Sequence, residues 1–174
     1  MAHRIDTSDI WLLDIEAYSG ESDSFPVAIA WGIMGGQINH ELIIPEDEWV
    51  EEAEDQPTTS EFNLDDLRER GTTALDIIRQ LNEELADKQV VVDGLDIDEA
   101  LLERLYEPYG AEPSFEIHSL TNFLSDNNID YDFHELYERR TEFVQEQAQG
   151  TDEAEKSVFA LHQLIEEYVQ REED

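Results

Sequence analysis

The chain has 174 residues, of which 45 are Asp or Glu and 10 are Lys or Arg, so its formal net charge is −35. This length predicts one domain over 1–174 with a core that needs no disulfides, and the 40% of apolar residues excludes a wholly disordered chain. The absence of cysteine excludes a thiol nucleophile and any Cys-ligated zinc or iron site.

The acidic residues are spread along the chain and are not confined to a tail. Such a surface repels phosphate backbones and anionic lipid, because affinity for both comes from basic side chains. The spread favours a halophilic-like adaptation to high intracellular salt, and a surface that mimics nucleic acid is the alternative. No apolar run is long enough to span a bilayer and the N-terminus has no apolar signal core, so we expect a cytoplasmic protein without a membrane partner.

The first 60 residues have the pattern of three strands followed by a polar connection. Gly35-Gly36 lies between two β-rich runs and indicates a hairpin, and Pro45 ends the third strand. The predicted strands are 10–16, 27–33 and 38–44, and the acidic connection is 46–60.

The rest of the chain alternates helical and short apolar patterns. The predicted helices are 72–86, 97–106, 118–126, 131–147 and 152–171, with Gly150 separating the last two; KQVVVDG (88–94) and 115–117 are predicted strands. A three-stranded antiparallel meander followed by a right-handed crossover to a parallel fourth strand predicts an α/β fold. We expect a mixed five-stranded sheet, with its fourth and fifth strands parallel and helices on both faces.

A pair of carboxylates lies at the end of the first predicted strand. Asp14 and Glu16 are two residues apart, so their side chains leave the same face of the sheet. Burying such a pair is costly unless a cation neutralises it, and Mg²⁺ or Mn²⁺ prefers hard oxygen ligands. The alternative is a strand end that has emerged into solvent.

The fourth predicted strand also runs into acidic residues, which are Asp93, Asp96 and Asp98. If the first and fourth strands are neighbours, Asp98 approaches Asp14 and Glu16 at one edge of the sheet. The alternative is that these are ordinary loop and helix-capping acids, which favour a helix start in any case.

Three segments together resemble the DEDD 3′–5′ exonucleases, the DnaQ-like proteins of ribonuclease H-like fold. LLDIEAYSG (12–20) is similar to their Asp-x-Glu motif, and VVVDGLDIDEALLERL (90–105) is similar to the second motif, with Ile97-Asp98 in the hydrophobic-Asp position. Between them, Trp49 and EFNLDDLRERG (61–71) follow the family layout, although Glu61-Phe62-Asn63 replaces the usual His-Gly-Ile step.

The third motif departs from the family pattern. In GTDEAEKSVFALHQLIEEY (150–168), Gly150 stands where the family has His and Glu155 where it has Asp. Glu155 is preferred as the acid because its spacing places it on one helix face with Val158, Phe159 and His162. Glu153 and Asp152 are the alternatives.

The resemblance implies an exonuclease-like protein that uses Mg²⁺ or Mn²⁺ to hydrolyse phosphodiesters at single-stranded nucleic-acid 3′ ends. Asp14, Glu16, Asp98 and Glu155 would be the catalytic, metal-binding acids, holding two ions about 3.5–4 Å apart. Loss of the His as a base costs on the order of 10²–10⁴ in rate, so an inactive binding or regulatory module of the same fold is the alternative. We expect structural or solvent-exposed roles for the histidines, which are His3, His40, His118, His134 and His162.

Overall fold

The computed structural model describes residues 5–147 and 152–174, apart from the side chains of residues 95 and 96. Its strands form one mixed sheet in the order β4-β3-β2-β1-β5-β6. The strands are β1 (Trp11–Ala17), β2 (Pro26–Ile33), β3 (Ile38–Ile44), β4 (Thr72–Thr73), β5 (Gln89–Val92) and β6 (Glu116–Ser119). The first three form an antiparallel meander, and β5 and β6 run parallel to β1.

Seven α-helices surround the sheet in the described ranges. They are α1 (Asp47–Glu52), α2 (Leu64–Arg70), α3 (Ala74–Glu84), α4 (Leu95–Tyr106), α5 (Leu120–Asp126), α6 (Phe133–Glu146) and α7 (Glu153–Glu173), with a 3₁₀ turn at Glu107–Tyr109. None of these helices combines the length and the apolarity that crossing a membrane requires.

The long helix α7 packs against β1, β2 and β3. Its buried side chains recur at three- and four-residue spacing, as an amphipathic helix requires: Ala154, Val158, Leu161 and Ile165 all lie within the core. The pairing of Asp14 with Ala30 and of Ala30 with His40 places these three residues on one face of the sheet. That face is the one covered by α7.

The opposite face of the sheet packs against α3 and α4. Trp31 on β2 is fully buried there, and its indole N–H donates to Glu84 Oε2 of α3 at 2.7 Å. Helices therefore cover both faces, and the predicted α/β architecture with a mixed sheet is confirmed.

Three details differ from the sequence prediction. The sheet has six strands and not five, because Thr72–Thr73 adds a short parallel strand beside β3. The following helix begins at Ala74 and not at residue 72, since the Thr73 hydroxyl caps it by accepting from the Asp76 N–H at 3.3 Å. The acidic connection 46–60 contains α1, whose Trp49 is buried.

The other boundaries moved by a few residues. The strand predicted at 115–117 is Glu116–Ser119, and the helix predicted to start at residue 97 starts at Leu95. Gly150 and His3 lie outside the described residues.

Candidate metal centre

Asp14 is a buried carboxylate in the middle of a central strand. Only 5% of the residue is exposed, and in the described part of the chain its Oδ2 has no hydrogen-bond partner. Burial raises the pKa of Asp14 well above its usual range, and the charge and hydrogen bond of Glu16 raise it further. An unpartnered buried carboxylate oxygen of this kind is costly unless a cation reaches it.

Asp98 reaches the same place from the first turn of α4. Parallel pairing of β5 with β1, through Trp11 with Val90 and Leu12 with Val91, sets the end of β5 beside β1. Asp98 is 3% exposed, and its Oδ2 accepts from the Gly94 N–H at 3.3 Å.

Burial raises the pKa of Asp98 to about 8, and the neighbouring charge of Asp93 adds to the rise. Backbone amides of Gly94 and Ile15 oppose the shift without cancelling it. Asp14 and Asp98 are thus two neighbouring carboxylates with raised pKa values, and such a pair indicates a site that favours binding of protons or metal ions.

Asp93 completes a group of three acids. Single oxygens of Asp14, Asp93 and Asp98 all lie within 4.8 Å of one another, and the charge of Glu16 also acts on Asp14. The sequence predicts that Asp98 approaches Asp14 and Glu16 if the first and fourth predicted strands are neighbours. The structure pairs those strands and brings Asp98 close to Asp14, with the charge of Glu16 acting on both. In the sequence, Asp93 belongs to the acidic run that follows the fourth predicted strand. Its position directly after β5 is the signal that identifies it as a member of this site.

A cationic side chain also enters this acidic group. Arg140 on α6 donates from Nε to Asp93 Oδ2 at 2.5 Å, and its charge also acts on Asp14 and Glu16. Burial lowers the pKa of the guanidinium, but attraction by Asp93 and Asp14 outweighs this effect and the pKa is raised. No sequence motif singled out Arg140, because the contact joins residues 47 positions apart.

The donor set fits a hard divalent cation. The group contains four carboxylates (Asp14, Glu16, Asp93, Asp98), and Arg140 adds a single positive charge beside them. In the described structure the buried Asp14 Oδ2 has no hydrogen-bond partner. Such oxygen-only sets suit Mg²⁺ and Mn²⁺. These residues could therefore hold Mg²⁺ or Mn²⁺, the ions that the sequence predicts.

A cleft of about 740 Å³ opens beside Glu16. Its walls come from the β1 end, the loop that follows β1 and helix α4, and Ile97 in this wall is 68% exposed. Of the acidic group, Glu16 lines this cleft, and an extended ligand could lie there.

The acids of the third motif lie at the start of α7, where Glu153 lines a small cavity together with Glu16. Glu155 Oε2 is 3.3 Å from His40 Nε2, and Asp152 Oδ2 is 3.4 Å from His40 Nδ1. Glu153 is exposed, and its N–H donates to Glu61 Oε1 at 3.2 Å. The structure thus gathers Asp152 and Glu155 around His40, two strands away from Asp14.

The other described histidines form pairs with nearby acids. His118 lies 3.7 Å from Glu116, and the remaining two form helical pairs four residues apart, His134 with Glu138 and His162 with Glu166.

No protein-family model matches this sequence, and no curated protein matches it. Solved structures do match. The nuclease domain of 3′hExo, a DEDDh family member bound to rAMP, aligns with a TM-score of 0.60 and 12% identity over 93% of this chain and 92% of that one.

Exonuclease I structures match over a part of their length. The enzyme from Methylocaldum szegediense aligns with a TM-score of 0.58 and 12% identity, covering 91% of this chain and 40% of that one. The E. coli enzyme in complex with a dA16 oligonucleotide gives 0.59 and 9%, covering 94% and 41%. This chain thus spans about two fifths of the exonuclease I chains, and at these identities the likeness shows the fold, which is the ribonuclease H-like fold of DEDD exonucleases.

Proposed function

We propose that the chain is a metal-dependent 3′–5′ exonuclease-like protein acting on single-stranded nucleic acid. The observation that carries this proposal is the buried group of Asp14, Asp93 and Asp98, with one Asp14 oxygen unpartnered in the described structure. Glu16, two residues from Asp14, lines an open cleft at the end of β1, in a fold shared with DEDD nucleases.

In this proposal Asp14, Glu16 and Asp98 hold Mg²⁺ or Mn²⁺, and Asp93 is the neighbouring carboxylate where the resemblance expected Glu155. A divalent ion bound there supplies Lewis-acid polarisation of the phosphate and a more acidic bound water. Arg140 pairs with Asp93 through a 2.5 Å hydrogen bond and offsets part of the negative charge of the group. The cleft beside Glu16 would accept the 3′-terminal nucleotides, with Ile97 offering apolar contact to a base.

The proposal is tested by metal binding and nuclease activity on matched variants. Calorimetry with Mn²⁺ and release of mononucleotides from a 3′-labelled single-stranded oligonucleotide are measured in molar KCl, which screens the −35 charge. Asp14→Asn and Asp98→Asn are expected to lose both signals, and the exposed Asp65→Asn serves as the control that keeps both. Mononucleotide release that persists in Asp14→Asn would refute the assignment.

A catalytically inactive module of the same fold is the second candidate. It is favoured by the position of the third-motif acids around His40 and by Arg140, whose charge already neutralises part of the acidic group. Its partner would be a basic protein, given the net charge of −35. Mn²⁺ binding at Asp14 and Asp98 without any nucleotide release would favour this candidate.

A further inference from the structure

A second cluster of metal-ligand side chains lies on the same face of the sheet as Asp14. Strand pairing runs from Asp14 through Ala30 to His40, so His40 stands two strand spacings, about 10 Å, from Asp14. The cluster contains His40, Asp152 and Glu155, with one donor atom from each within 4.8 Å of the others. It joins β3 to the start of α7.

The two carboxylate oxygens of Asp152 have different partners. Oδ1 accepts the Glu155 N–H at 2.9 Å and caps α7, whereas Oδ2 faces His40 Nδ1 at 3.4 Å. That second distance exceeds the 2.7–3.2 Å of an ordinary N–H···O hydrogen bond. With a side chain only 4% exposed, Asp152 holds a buried carboxylate oxygen directed into the cluster.

One ring nitrogen of His40 and one carboxylate oxygen each from Asp152 and Glu155 lie close enough together to surround one ion, all within 4.8 Å of one another. Asp152 approaches Nδ1 at 3.4 Å and Glu155 approaches Nε2 at 3.3 Å, and an ion would take one of these two nitrogens. The His40 side chain is 41% exposed, which leaves an entry path from solvent. The Glu155 side chain, 15% exposed, closes the other side.

The donor chemistry differs from that of the Asp14 group. An imidazole nitrogen with two carboxylates favours borderline transition-metal ions such as Zn²⁺ or Co²⁺, whereas Mg²⁺ prefers oxygen-only ligands. Two carboxylates against one imidazole also give the cluster a net negative charge in which a divalent ion is favoured.

We propose that His40, Asp152 and Glu155 form a second, transition-metal site that fastens β3 to the N-terminus of α7. This site is independent of the proposed nuclease function, because it shares no ligand with Asp14, Glu16, Asp93 or Asp98. Occupancy would raise thermal stability, since an ion that binds only the folded chain stabilises it by mass action.

The test measures Zn²⁺ by calorimetry and Co²⁺ by its visible absorption, with excess Mg²⁺ present to occupy the oxygen-only group. His40→Gln and Asp152→Asn are expected to weaken Zn²⁺ binding by more than about 100-fold, because even residues behind a ligand contribute 10–100-fold. Asparagine is itself a good N-cap, so Asp152→Asn preserves the start of α7 while removing the charge. Circular dichroism and the melting temperature without metal confirm that each variant folds.

Two controls separate this site from other acidic surface. His162→Gln removes a histidine that is paired with Glu166 on α7, and it is expected to leave Zn²⁺ binding unchanged. Asp98→Asn is likewise expected to retain it while losing the Mn²⁺ signal of the other group. Zn²⁺ affinity unchanged in His40→Gln, or lost in Asp98→Asn, would overturn the proposal.

Discussion

Replacement of Asp98 by asparagine is expected to stabilise the metal-free protein at alkaline pH. The asparagine side chain keeps an oxygen that can accept from the Gly94 N–H but removes the buried charge. The pKa of Asp98 is raised in the folded chain, so the native state binds its proton more tightly than the unfolded chain does. The stabilisation that comes from this tighter proton binding is complete below the pKa of Asp98 in the unfolded chain. It is lost as the pH rises through about 8, the pKa of Asp98 in the folded chain.

The size of the effect on the free energy of unfolding follows from the pKa shift of Asp98. The pKa rises from 3.8 to about 8, and each unit corresponds to about 1.4 kcal/mol, so an unrelieved charge would cost about 6 kcal/mol. Because water can reach an ionised carboxylate through local rearrangement, part of that cost is relieved. We expect the free energy of unfolding of Asp98→Asn to exceed that of the wild type by roughly 2–4 kcal/mol at pH 9.

The measurement is urea unfolding in EDTA at pH 4, 7 and 9, with Asp65→Asn as the exposed control. The difference between Asp98→Asn and the wild type should be small near pH 4, where the carboxyl is protonated in the native state and close to half protonated in the unfolded chain, and should grow with pH. Adding Mn²⁺ should stabilise the wild type at pH 9 and narrow the difference. A constant difference at all three pH values would refute the reasoning, because titration of a buried charge would not then be its origin.

Three further outcomes are expected. Arg140→Met removes the positive charge beside Asp93, so calorimetry should show tighter Mn²⁺ binding, and weaker binding would mean that the guanidinium orients the ligands more than it competes with the ion. The melting temperature should rise steeply between 0.1 and 1 M KCl, as the Debye length falls from about 10 to 3 Å, and a flat series would contradict repulsion among the acidic residues. Gly71→Ala should lower the free energy of unfolding by roughly 2–4 kcal/mol in urea melts, because an added Cβ would lie 2.2 Å from the Leu67 carbonyl oxygen, and an unchanged value would show that the chain relaxes there.

Local patterns were sufficient to predict most of the fold. The apolar runs around Gly35, whose φ of +80° suits a glycine turn, predicted the hairpin between β2 and β3. The contact between Asp14 and Asp98 was predicted on the condition that the first and fourth predicted strands are neighbours, and the structure meets this condition by pairing β5 with β1 in parallel. Helix α1 was missed because a six-residue acidic segment carries almost no periodic signal, although its Trp49 is buried.

The second cluster could not be predicted, because it depends on how α7 is rotated against a strand more than 100 residues earlier. Spacing placed Glu155 on a face with Val158, Phe159 and His162, but of these three the helix fully buries Val158 alone and leaves Phe159 and His162 half-buried. Glu155 therefore lies on the flank that faces His40. The rotation of α7 about its axis is set by side-chain packing, and the spacing of acidic residues along the sequence does not predict it.

The buried indole of Trp31 gives the molecule an internal optical reporter. Its strand lies between the strand of Asp14 and the strand of His40, and its N–H is bound by Glu84 on the far side of the sheet. Trp49, with its ring centroid 6.0 Å from that of Phe25, reports on a different part of the core. Fluorescence of variants that retain one tryptophan each would thus follow two regions separately, and coincident unfolding curves would mean that sheet and α1 melt as one cooperative unit.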